Sequence, residues 1–200
     1  MISVYNLKPR FQQLLMPALR VLHRKGVTAN QITVSAILLS LLIGILFWYA
    51  DNHALLFLAL PIGLLLRMAL NALDGLMARQ YHQQSKLGEV LNEIGDVVSD
   101  LFVYFPLIKF QPSSGLLITI FLCLSILNEF AGILAKVISG QRRYEGPMGK
   151  SDRAFLVGLY GLLQFFCVDI TSIASYLFII INFLLLLSTY LRVKRSITHG

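Results

Sequence analysis

The stretch NALDGLMARQYHQQSKLGEVLNEIGDVVSD, residues 71–100, holds five of the ten carboxylates of a 200-residue chain. Read with helical spacing of about 100° per residue, Gly88, Asn92, Asp96, Ser99 and Asp100 share one face, flanked by Glu89 and Glu93. Val90, Leu91, Ile94, Val97, Val98 and Leu101 take the opposite side. Just upstream, Arg67, Asn71, Asp74 and Ala78 form a second stripe, and Gly75 leaves a gap beside it. Brought together, the stripes cluster the oxygen donors Asn71, Asp74, Asn92 and Asp96. Hard divalent cations bind such oxygens, and the small residues nearby let a bulky phosphorylated ligand approach. A helix so divided places one side in lipid or protein and the other in a polar cavity. The alternative is that these polar groups merely join helices. So many ionisable groups on one intramembrane face would make costly glue.

The spacing in full is Asp74-Gly75, two residues, Ala78-Arg79, eight residues, Gly88, three residues, Asn92, three residues, Asp96. It resembles the signature of the CDP-alcohol phosphotransferases, membrane enzymes that build phospholipid head groups. Six of the eight fixed positions match, while Asn71 and Asn92 stand where that family has Asp. The chain length, and the place of the motif after the second apolar run, are similar to that family as well.

The resemblance implies attack by an acceptor hydroxyl on the β-phosphate of a CDP-alcohol, with CMP leaving and a phosphodiester forming. Such chemistry needs a metal to neutralise the diphosphate and a base for the hydroxyl proton. Carried over, Asp74 is a metal ligand and Asp96 is the base, also touching metal. Asn71 and Asn92 are weakened ligands, and Gly75, Ala78, Arg79 and Gly88 border the nucleotide. The implied cofactor is Mg²⁺ or Mn²⁺, held more weakly or at fewer sites, because an amide contributes no charge. The implied partners are a CDP-linked lipid donor, a hydroxyl acceptor, membrane phospholipid and a second copy of the chain as a homodimer. The implied location is a bacterial inner membrane. Three functions fit these residues: such an enzyme with altered metal use, a protein that binds nucleotide-lipid without turnover, and a small transporter. The chain lacks the paired, interrupted half-repeats of many transporters.

The elements that must position these residues follow from composition. Apolar residues make up 56% of the chain and charged ones 14%, a balance foreign to soluble domains of this length. The pattern predicts an all-α integral membrane protein with six transmembrane helices, near residues 30–49, 54–79, 87–109, 116–138, 154–168 and 172–191. Thr28 and Gln31 have capping-box spacing, Pro61 is placed to kink the second span, and residues 111–115 form a turn. Residues 1–26 are expected to be an amphipathic segment on the membrane surface, with Pro9 and Pro17 preventing one continuous helix. Their charges are too spread for a signal peptide. Residues 27–200 then form the bundle, within a single membrane domain spanning 1–200. Cys123 and Cys167 lie in apolar runs and read as packing residues rather than a disulfide or metal site.

The net charge of +7 is unevenly placed. Basic residues precede the first span, flank the motif (Arg79, Lys86), crowd the loop between spans four and five, and follow span six. Lys109 alone flanks the other side. By the positive-inside rule both termini and the motif face the cytoplasm, and the basic bias calls for no nucleic acid. Arg142, Arg143, Lys150 and Arg153 are expected at the mouth of the cavity, where they would bind a phosphate of donor or acceptor; ordinary loop charges are the alternative. Arg67, deep in span two, needs a carboxylate, with Asp100 on span three the first choice and Glu129 on span four the second.

Overall fold

The structure is a computed structural model that describes residues 7–198, with side chains from Phe11 onward. Its elements are α1 (Leu7–Arg24), α2 (Ala29–Trp48), a 3-10 segment (Ala54–Leu58), α3 (Ala59–Gln80), α4 (Lys86–Tyr104), α5 (Leu107–Phe110), a second 3-10 turn (Pro112–Ser114), α6 (Gly115–Ser139), α7 (Lys150–Phe165) and α8 (Thr171–Thr198). No strand occurs among the described residues. Four segments are long and apolar enough to cross a membrane: Ala29–Trp48, Ala54–Gln80, Pro112–Ser139 and Thr171–Thr198. The other two expected spans are α4, which carries Lys86, Glu89, Glu93, Asp96 and Asp100, and α7. With 16 residues α7 is about 24 Å long, short of the roughly 30 Å of a bilayer core.

Local chemistry accounts for most boundaries. The Gln31 amide donates to Thr28 Oγ1 (3.3 Å) and the Thr28 amide to Gln31 Oε1 (2.9 Å), so the expected capping box opens α2. Pro61 falls in the first turn of α3, where its missing N–H has no acceptor to lose, and the chain tightens to 3-10 before it rather than kinking after it. The expected third span does not run unbroken to residue 109: α4 stops at Tyr104, because Pro106 has no N–H to continue the hydrogen-bond ladder, even though Phe105 keeps helical backbone angles. Leu107–Phe110 is a separate turn of helix.

The expected break at Pro9 and Pro17 does not occur. Pro9 lies in the first turn of α1, and the helix runs unbroken through Pro17. Leu19 is fully buried with Ile32, Leu73 and Met77, so packing on α2 and α3 offsets one lost hydrogen bond. The side chains of residues 1–10, including Lys8 and Arg10 of the expected amphipathic face, lie outside those described.

The helices pack most extensively as α6 on α8, α2 between α3 and α4, and α3 on α7. Small residues set the closest approaches. A Cβ on Gly44 would sit 2.2 Å from the Phe102 carbonyl oxygen, which brings α2 against α4. A Cβ on Gly161 would sit 2.7 Å from the Phe57 carbonyl oxygen, which brings α7 against the start of the second apolar run. The larger core cluster surrounds Phe47, Tyr104 and Leu185, and a smaller one of Leu19, Ile32, Leu73 and Met77 packs α1 and α2 against the motif-bearing part of α3. Phe47 stacks on Phe110 at 4.9 Å, with Phe57 and Tyr160 edge-on around them. Cys123 and Cys167 are free but exposed, so the expected packing role is not theirs; Cys167 holds a left-handed φ of 57° in the turn leaving α7.

Candidate active site

The Asn71–Asp74 stripe lies in the second half of α3 and the Gly88–Asp100 stripe runs along α4, both packed on α2 and bridged by the Arg67–Asp100 pair. Asp74 is buried (5% exposed), and Thr33 Oγ1 on α2 donates to its Oδ2 at 2.9 Å. Asn71 and Asn92 are half-buried on the same two helices. Gly75 has the Arg79 guanidinium beside it: an added Cβ would meet Nη1 at 3.3 Å. Arg79 itself is exposed, and Ala78 packs toward the α1–α2 side. Gly88 abuts Asn30 Oδ1, which a Cβ would approach to 2.7 Å, so the start of α4 lies close against the first turn of α2.

The polar face of α4 is covered by cations, where the stripe alone suggested an open cavity. Glu89, Glu93, Asp96 and Asp100 lie on one face at spacings of four, three and four. Each meets a base arriving in chain order: Lys136 from the end of α6, Arg142 from the loop, Lys150 and Arg153 from the start of α7. The ladder runs from an exposed Glu89–Lys136 pair to a buried Asp100–Arg153 pair at 2.8 Å.

Its lower end forms a floor. Arg67 Nη2 pairs with Asp100 Oδ1 at 2.7 Å, the partner expected from the antiparallel register, and donates to the Asp96 carbonyl at 3.3 Å. Arg153, 0% exposed, bridges Asp100 Oδ2 (2.8 Å) and Glu129 Oε1 (2.9 Å) and donates to the Met148 carbonyl at 3.2 Å. Arg142 Nη2 takes the other Glu129 oxygen at 2.9 Å while Nη1 pairs with Glu93. Burial opposes the Arg142 charge, but Tyr144, Glu93, Glu129 and Asp96 outweigh it and hold its pKa above the ordinary guanidinium range. Two buried acids serve three buried or half-buried guanidiniums, so each charge has an opposite charge beside it, the condition for ions to persist in so apolar a setting, while Asp100 Oδ1 and the Nε atoms of Arg67, Arg142 and Arg153 make no hydrogen bond.

Of the four basic loop residues expected at the mouth, the structure places only Lys150 and Arg142 over the motif. Arg153 is in the floor, and Arg143 turns away to Glu145 Oε1 at 3.3 Å. Three residues were missed. Thr33 and Asn30 could have been found as polar interruptions on the motif-facing side of an apolar run. Arg192, 2% exposed, looks like a charge trailing the last span; instead α8 continues past it, and its Nη1 donates to the Asn128 carbonyl at 2.6 Å and Nε to the Glu145 carbonyl at 3.3 Å. It pins the loop to α6.

As a donor set for a divalent ion, the motif offers two carboxylates, Asp74 and Asp96, within electrostatic reach of one another, and the amide oxygens of Asn71 and Asn92. Among the described residues no three of His, Cys, Asp and Glu converge as a metal cluster, because two of the four motif positions are amides and the remaining acids of α4 are drawn to cations. All four motif donors are hard oxygens, the chemistry that fits Mg²⁺ or Mn²⁺ at reduced charge.

Residues 26–192 match the family model for CDP-alcohol phosphatidyltransferase. The inner membrane protein YnbA of Escherichia coli (strain K12) is 51% identical over 160 residues, 80% of this chain and 79% of its own length. Archaetidylinositol phosphate synthase of Pyrococcus horikoshii is 33% identical over 100 residues, half of each chain. Crystal structures of Mycobacterium tuberculosis phosphatidylinositol phosphate synthase (PgsA1) share the fold. The complex with manganese and citrate has a TM-score of 0.75 at 22% identity, covering 91% of this chain and 88% of its own. The form with CDP-DAG bound has a TM-score of 0.76 at 20% identity, covering 92% and 94%.

Proposed function

The chain belongs to the CDP-alcohol phosphatidyltransferase family, and we propose that it moves a substituted phosphate from CDP-diacylglycerol to an acceptor hydroxyl, releasing CMP, in phospholipid synthesis. The observation that carries this reading is the motif itself: Asp74, Gly75, Ala78, Arg79, Gly88 and Asp96 keep the family's spacing and lie on facing ends of α3 and α4. The CDP-DAG-bound neighbour supports the choice of donor.

In this reading Asp74, Asp96 and the amide oxygens of Asn71 and Asn92 hold Mg²⁺ or Mn²⁺, which neutralises the diphosphate when bound. Gly75, Ala78 and Gly88 leave room for the nucleotide, and Arg79, exposed beside Gly75, contacts it. Asp96 takes the proton of the attacking hydroxyl. Lys150 and Arg142, over the motif, bind phosphate oxygens; Arg143 joins them only by leaving Glu145, and Arg153 holds the floor beneath. All 200 residues form one membrane domain, residues 1–26 lying on its surface and 27–200 crossing six times, α4 and α7 included. Both termini and the site face the cytoplasm, and two copies associate as a dimer in the inner membrane.

Purified protein given CDP-diacylglycerol, a mixture of hydroxyl acceptors and Mn²⁺ should release CMP in a metal-dependent way. Asp96→Asn should lower that turnover by about 10²-fold or more, the typical loss with a general base. A second reading, a protein that binds nucleotide-lipid without turnover, is favoured by the two amides and by the Asp96–Lys150 pair. Tight binding of CDP-diacylglycerol with no CMP released would establish it.

A further inference from the structure

Of the four rungs that cover α4, two are lysine pairs, an exposed one at Glu89 and one at Asp96, and only the one at Asp96 ties up a residue of the motif. Arg142 spans Glu93 and Glu129, and Arg153 spans Asp100 and Glu129, so each guanidinium is locked by two carboxylates. Lys150 holds Asp96 alone, through a flexible four-carbon stem, and its side chain stays 27% exposed. Its position works against its own helix as well. Lys150 is the first residue of α7, where the partial positive charge of the helix N-terminus disfavours a cation. Helix stability therefore does not account for a lysine here, whereas a carboxylate partner on α4 does.

That partner is half of the charge the motif can offer a metal. Asp74 and Asp96 supply two negative charges and Asn71 and Asn92 none. Asp74 has a hydroxyl for its neighbour, Thr33, whereas Asp96 has an ammonium. With Lys150 in place an incoming divalent ion meets a net charge of −1 from these three groups; with Lys150 gone it meets −2. We propose that Lys150 is a built-in competitor of the divalent cation, occupying Asp96 until metal displaces it, so that loading the site and releasing Lys150 are one event. This rests on the reading of the motif as a divalent-cation site.

The test is an electron paramagnetic resonance titration of free Mn²⁺ with the intact detergent-purified protein, without nucleotide. Lys150→Gln and Lys150→Met should each bind Mn²⁺ about tenfold or more tightly than wild type, and Lys150→Arg, which keeps the charge, should stay within about threefold of it. In an Asp96→Asn background, Lys150→Gln should bring no gain. Two neutral variants guard against one failing to fold, which thermal unfolding reports independently. Unchanged or weaker Mn²⁺ binding in the neutral variants overturns the proposal and leaves the metal reading intact. An equal gain in the Asp96→Asn background also overturns it, since the effect would not pass through Asp96. Absence of Mn²⁺ binding in wild type and every variant overturns the proposal and the metal reading together.

Discussion

Replacing Asp100 by alanine removes the one carboxylate that Arg67 touches. Arg67 would keep only the Asp96 carbonyl at 3.3 Å, while Arg153 would still hold Glu129 at 2.9 Å. A unit pair about 4 Å apart attracts by about 4 kcal/mol at an effective dielectric of 20. Stranding one member of a buried pair costs about 3–5 kcal/mol. The reverse deletion is milder. Arg67→Ala leaves Asp100 with Arg153 at 2.8 Å, so the loss is that of charge-assisted hydrogen bonds, about 1.5–3 kcal/mol. Glu129→Ala is milder than Asp100→Ala for the same reason, because Arg153 keeps Asp100 and Arg142 keeps Glu93. The expected order of damage is therefore Asp100→Ala first, with Arg67→Ala and Glu129→Ala behind it. Arg67→Ala combined with Asp100→Ala should lose much less than the sum of the two. Thermal unfolding of the detergent-solubilised protein, followed by circular dichroism, reads the order and the coupling. Strict additivity of the Arg67 and Asp100 changes, or Glu129→Ala as damaging as Asp100→Ala, would refute this account of the floor.

Asn71→Asp with Asn92→Asp adds two negative charges at the metal and should tighten Mn²⁺ binding, by about tenfold or more in calorimetric titration. Unchanged affinity would mean that the cavity has diverged beyond its ligands. Gly146 has φ +101° and a Cβ there would meet Ser188 Oγ at 2.6 Å, so Gly146→Ala should undock the 140–149 loop and speed its cleavage by added protease. A fluorescent-protein fusion at Gly200 should be bright and an alkaline phosphatase fusion inactive if the C-terminus is cytoplasmic; the opposite pattern would invert the site's orientation.

What could be read from the residues alone is what helix geometry and hydropathy dictate locally. Apolar run lengths placed α2, α3, α6 and the start of α8 within a few residues, though not the unbroken α1 or the extension of α8 to Thr198, and Thr28 with Gln31 marked the start of α2. The three- and four-residue repeat put Asp74 with Asn71, and Asp96 with Asn92, on single faces. Even the Arg67–Asp100 pair followed, because two antiparallel helices with a shared motif leave one register in which both stripes face. Pro106 was equally readable as the end of α4, since its missing N–H acts within its own turn. Pro17 is the opposite case: its local cost is the same in any sequence, and only the burial of Leu19 against α2 and α3 shows that packing offsets it. The ion ladder likewise belongs to the tertiary structure. Lys150 and Arg153 reach Asp96 and Asp100 across more than fifty residues of chain. Which rung each takes depends on how far α7 slides along α3, and that depth is fixed where Gly161 seats on Leu60 and the Phe57 carbonyl. Arg192 reads as a terminal loop charge until α8 is seen to continue past it and lay it against α6. A charge's type is written in the sequence, but its partner depends on distances through space, which no local periodicity encodes.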